Sequence, residues 1–172
     1  MTTRSLALIF GIFWLGFAVL SLMPGMVVPM PATEPETRFD VMHGALFGLF
    51  PVNMLLSVVH LFMGAWALAA FMGWHSTHTY ARSAAVIFAV LGLMGLIPGL
   101  NTMFGVMPLH GHSTWLHLAA AAFAAFVGWR SPQAAGERRR GGDRRRGSRA
   151  PIANERRQGL YDRRRSAYIP QP

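Results

Sequence analysis

The sequence predicts an all-α protein: an integral membrane four-helix bundle of up-down topology, with a disordered, Arg-rich C-terminal tail. Three observations carry that reading. Four stretches in the first 130 residues are apolar and long enough to cross a hydrocarbon core that takes about 20 helical residues. Of the 16 basic residues, 13 lie after residue 129 with only four acids, so the net charge of +9 belongs to that region and the rest is neutral. The segments joining the apolar stretches are short, as antiparallel neighbours require.

The first span is expected at residues 5–23, introduced by Arg4 and broken by Pro24 and Gly25. It reads as an uncleaved helix, because the apolar run is long and residues 27–32, VVPMPA, lack a small-x-small cleavage site. Residues 29–40 carry Pro29, Pro31 and Pro35 with Glu34, Glu36 and Asp40, a composition for an extended loop in water. Residues 41–50 read as a short interfacial helix. Pro51 suits a first helical turn, where no N–H is needed, so the second span is placed at 51–73.

The polar run 75–82 reads as a turn, with His75 and His78 in water, and the third span as 84–98, ending at Pro98 and Gly99. A loop over 101–112 leads to the fourth span at 113–129, capped by Ser113. Trp74 and Trp129 then fall at one membrane interface and Trp115 at the other. Residues 1–130 form the membrane domain and 131–172 the tail. A basic segment beside a span stays on the cytoplasmic side, so both termini are expected inside a bacterial inner membrane. Arg4 and Arg82 share that side and Arg38 faces out.

Composition excludes whole classes of function. With 52% hydrophobic residues and four spans, no soluble catalytic domain fits. The absence of cysteine removes disulfides, thiolate catalysis, iron–sulfur clusters and Cys-ligated zinc. No Asp, Glu, Lys or Arg lies deep in a span, which weighs against an ion-coupled transporter.

Asn53, Ser57, His60 and Gly64 fall within an arc of roughly 60° on the second helix, a polar stripe that must avoid lipid. The fourth helix offers His117, above Ala121, Ala124 and Gly128. Two histidines on two helices suggest axial ligands for a haem, and His60 and His117 are the candidate cofactor-binding residues. Counted from Pro51 and Ser113, however, they differ in depth by about 8 Å. A structural reading therefore pairs Asn53 with His117 across the helices and His60 with Ser57 or another partner.

In the outer loops His43, His110 and His112 are candidate zinc or copper ligands. Gly92, Gly95 and Gly99 share a face of the third helix and point to close packing. No catalytic residue and no cofactor is expected.

The tail repeats a pattern, ERRRGGDRRR at 137–146 and ERRQGLYDRRR at 155–165. Its basic residues Arg138, Arg139, Arg140, Arg144, Arg145, Arg146, Arg156, Arg157, Arg163, Arg164 and Arg165 favour anionic lipid headgroups over nucleic acid as a target. A membrane-protein partner or a second copy of the chain is a further expectation.

Residues 45–129 resemble a bacterial family of four-helix membrane proteins known as domain of unknown function 4383 (DUF4383). The likeness lies in FPVNMLLSVVHLFMG at 50–64, LGLMGLIPGLNTMFG at 91–105 and MPLHGHSTWLH at 107–117. Asn53, His60, Trp115 and His117 match its signature, whereas the acid often found before the Trp-Leu-His element is Ser113-Thr114 here. The resemblance implies an integral membrane protein and supplies no reaction, substrate or cofactor. The expectation is a non-enzymatic accessory or scaffold component, with a haem or metal redox protein and a small-molecule carrier using Asn53, Ser57 and His60 as alternatives.

Overall fold

The computed structural model describes residues 2–129, so the Arg-rich tail and the residues expected to bind lipid there lie outside the described residues. Four helices dominate: α1 (Thr3–Leu22), α2 (Met54–Met72), α3 (Thr77–Leu96) and α4 (His112–Trp129). Helices α1, α2 and α3 are each long and apolar enough to cross a membrane. Helix α4 has 18 residues and places His112, Ser113, Thr114 and His117 in its first two turns, which makes it less apolar.

The helix starts follow their caps. The Thr2 side chain accepts from Ser5 N at the start of α1, Asn53 Oδ1 accepts from Leu56 N at α2, and Ser76 Oγ accepts from Thr79 N at α3. Gly73 closes α2 in the left-handed conformation, at φ 91°, which favours glycine.

Two of these starts correct the sequence reading. Helix α2 begins at Met54, because residues 50–52 are extended. Proline lacks the N–H that both a first helical turn and an edge strand can do without, so Pro51 did not distinguish the two. Helix α3 begins at Thr77, so the polar run 77–82 is helical and not a turn. Nothing in it breaks a helix, and Ser76 caps it.

The expected interfacial helix over 41–50 is instead part of a small antiparallel sheet, so the protein is mostly helical, not all-α. Strands β1 (Val27–Val28), β2 (Gly44–Leu46) and β3 (Phe50–Val52) pair in that order, with Ala45 opposite Pro51 and Val28. Phe47 and Gly48, both at positive φ, turn the chain between β2 and β3. Gly44 is required by packing, since a Cβ there would run into the Val28 carbonyl oxygen and the Val27 side chain.

Helix α1 packs along α2, and α3 along α4. Both contacts are made by glycines. A Cβ on Gly64 would stand 2.7 Å from Leu15 N, and one on Gly92 would stand 2.6 Å from the Leu118 side chain. Gly95 meets Leu109 and Thr114 in the same way, as the sequence predicted, whereas Gly99 lies beyond the helix with open space around it. Between the pairs sits a core of Phe10, Trp14, Phe17, Leu56, Met63 and Phe88. Exposed Ile12, Phe62, Val86 and Phe126 give α1 to α4 apolar outer faces suited to lipid.

At one end of the helices the two arginines act as C-caps for neighbouring helices. Arg4 donates from Nε and Nη2 to Phe71 O at the end of α2, and Arg82 Nε donates to Gly128 O at the end of α4. Leu6, Ala81 and Val127 pack together beside them. A cation near the last carbonyls of a helix is also favoured by its dipole.

Candidate functional site

The largest buried polar side chains of the helices are His60 of α2 and His117 of α4, 1% and 0% exposed. Their Nε2 atoms are 3.1 Å apart. The expected 8 Å offset in depth is thus corrected, and its source is the helix starts. His60 is six residues from Met54 and His117 five from His112, so at 1.5 Å per residue the depths differ by only about 1.5 Å.

Trp14 of α1 stacks on His60, with centroids 4.4 Å apart, and its other near neighbour is Phe88 of α3 at 4.5 Å. Phe17 meets the His60 ring edge-on at 5.2 Å. Trp14 was missed from the sequence. A tryptophan in the middle of an apolar span, away from either interface, was the signal.

At 3.1 Å one Nε2 donates to the other, and which ring holds the proton depends on tautomer. Among the described residues neither Nδ1 has a hydrogen-bond partner, nor does Trp14 Nε1. A hydrogen-bonded neutral pair therefore buries one unpaired ring N–H. A metal ion bound to both Nε2 atoms would leave both Nδ1–H groups unpaired, where ligating histidines normally donate that proton to an acceptor. An axial haem fits less well still, because ligand nitrogens on opposite sides of one metal stand about 4 Å apart, twice a bond of ~2.0 Å. The site favours a neutral, mutually bonded pair.

Asn53 does not reach His117, contrary to expectation. It is fully buried and joins three segments. Its Oδ1 accepts from Leu56 N at 3.0 Å, while Nδ2 donates to Val106 O at 2.7 Å and Phe39 O at 3.2 Å. Ser57 Oγ donates to Asn53 O at 2.9 Å, so Ser57 is not the partner of His60. Ser21 of α1, missed in the sequence, extends this network with its Oγ 2.7 Å from that of Ser57. Ser113 lies inside α4 and does not cap it; its hydroxyl donates across to Pro51 O at 2.8 Å. Tyr80 OH likewise ties α3 to Met63 O of α2 at 3.0 Å.

In the loops near the start of α4, His43 Nδ1 is 3.3 Å from Asp40 and His110 Nδ1 is 3.1 Å from Glu34 Oε2. The second contact is electrostatic, without the alignment of a full hydrogen bond. His110 is buried and His112 exposed against the edge of Phe50, so the two do not converge. Among the described residues no three His, Asp or Glu side chains are grouped to hold a metal.

The family model described as a domain of unknown function, DUF4383, matches residues 4–130, which takes in every helix and strand except Thr3, the first residue of α1. This chain belongs to the DUF4383 family. Nothing among curated proteins or solved structures matches it. The DUF4383 match covers Asn53, Ser57, His60 and His117 together, and with them the glycine contacts that bring the helices close enough for those groups to meet.

The loops between the helices of this DUF4383 protein carry a pH dependence whose sign follows from His110. Burial is the largest influence and lowers its pKa from the ordinary 6.5; the Glu34 carboxylate opposes that shift and His43 adds to it. The folded value lies below the unfolded one, so the stabilisation is complete above about pH 6.5 and is lost as pH falls below it. Thermal unfolding in detergent should show a larger fall in Tm between pH 7.5 and 5 for the wild type than for His110→Gln. Glu34→Gln, which removes the carboxylate that favours the proton, should enlarge the fall.

Proposed function

We propose that this protein is a bacterial inner-membrane protein of four spans in up-down order, acting without catalysis as an accessory or scaffold component. The observation that carries this reading is the closure of His60 on His117, with Asn53, Ser57, Ser113 and Tyr80 bonded within the protein around them. Polar groups that already bond one another hold helices together and have little capacity left to bind a substrate. The two imidazole rings are buried among Trp14, Phe17 and Phe88.

Both termini are assigned to the cytoplasm. Arg4 and Arg82 are at the same end of the helices, and the 13 arginines after residue 129 add to the positive charge expected there. The acids Glu34, Glu36 and Asp40 fall in the segment joining α1 to α2, at the other end. The tail would then lie on anionic headgroups of the inner leaflet.

Cysteine substitutions test the orientation in intact cells. A membrane-impermeant reagent should label replacements at Thr33 and Gly111 and leave one at Thr77 unlabelled. Labelling at Thr77 would reverse the assignment. Protein purified in mild detergent should show no haem absorption, and a visible spectrum lost in His60→Leu would replace the scaffold reading with a redox one.

A further inference from the structure

A shallow groove of about 400 Å³ lies where the start of α3 meets the end of α4, lined by Arg82, Ser83, Val86 and Trp129. We propose that it binds one anionic phospholipid, with the phosphate on Arg82 and Ser83 and an acyl chain along Val86. The inference rests on the membrane reading above and adds a ligand site to it.

Charge is the first support. Only three acids, Glu34, Glu36 and Asp40, occur before residue 130, and all lie in the α1–α2 connection, so no carboxylate among the described residues neutralises Arg82. Its Nε is used by Gly128 O at 2.9 Å, and its guanidinium carbon lies 5.6 Å from the Trp129 ring centroid. Those two contacts fix the plane of the guanidinium. The terminal amino groups have no partner among the described residues and present a fork to the groove, the geometry that suits a phosphate.

The second support is the gradient along α3. Ser83 sits next to Arg82 at the polar level, while Val86 and Val90, one and two turns further along the helix, are 59% and 50% exposed. Trp129, 58% exposed, closes the other side at the depth where an amphipathic ring belongs. A guanidinium, a hydroxyl and an apolar track thus follow one another in the order that matches the phosphate and acyl chain of a phospholipid. Arg4 offers no such site, since both Nε and Nη2 converge on Phe71 O.

The test uses the full chain in nanodiscs of phosphatidylcholine with phosphatidylglycerol as a minor component, followed by native mass spectrometry of retained lipid. The tail contributes equally to every variant, so differences report the groove. Wild type and Arg4→Gln should retain one more phosphatidylglycerol than Arg82→Gln, whose retention should fall about tenfold for the loss of a charge-assisted contact. Ser83→Ala breaks no side-chain hydrogen bond among the described residues and should lower retention two- to threefold, which keeps the test valid if Arg82→Gln unfolds. Equal retention in wild type, Arg82→Gln and Ser83→Ala would overturn the proposal, as would equal retention of phosphatidylcholine. Release of the wild type from membranes by alkaline carbonate would instead show the membrane reading itself to be wrong.

Discussion

Replacing Asn53 by alanine should lower the unfolding free energy in detergent by about 3 kcal/mol. The estimate combines an N-cap worth ~1 kcal/mol with two hydrogen bonds whose loss leaves carbonyls unpaired at ~1 kcal/mol each. Asn53 is buried at a junction of the α1–α2 segment through Phe39, the α3–α4 loop through Val106 and the first turn of α2 through Leu56. Asn53→Ser keeps a capping oxygen without the amide donors and should lose about 2 kcal/mol. The ordering of the two variants is the informative part: a residue that served only as a cap would make Asn53→Ser almost neutral.

His60→Ala should cost about 2 to 4 kcal/mol for two reasons that act together. It opens a cavity beside Trp14 and Phe17, which pack on the His60 ring, and it leaves His117 Nε2 buried without a partner. His60→Leu fills most of the space and should cost less, the remainder being the unpaired nitrogen. Calorimetric or chemical unfolding in one detergent separates the two terms.

Much of the helical framework was legible because long apolar runs leave few alternatives, but the caps at Asn53 and Ser76 were not: Pro51 drew the start of the second helix too early, and the polar side chains of 77–82 hid the start of the third. The sheet was not legible. Gly44, Ala45 and Leu46 are all buried, so they show no alternation, and strands of two or three residues form only because the helices bring them together. The polar stripe on α2 was read correctly as buried, yet its partners were assigned wrongly. Counting helix from Pro51 added three extended residues, about 4.5 Å of false depth, and starting α4 at Ser113 instead of His112 added about 1.5 Å more; together they concealed the meeting of His60 and His117. Close contact at Gly92 and Gly95 was readable from small-residue spacing; the equivalent contact of Gly11 with Gly64 needed α1 and α2 in place. Arg82 as a cap for α4 left no trace in the sequence, because residue spacing says nothing of which helix end lies nearby.

The central claim is that the buried histidines serve each other. A double-mutant cycle on His60→Leu and His117→Leu measures that directly, with the unfolding free energy of wild type, both single variants and the double variant determined in one detergent. If the pair is mutually bonded, each single variant leaves an unpaired nitrogen and the double variant removes both, so the double loss should fall short of the sum by about 0.5 to 2 kcal/mol. Losses that add without a remainder would contradict the account.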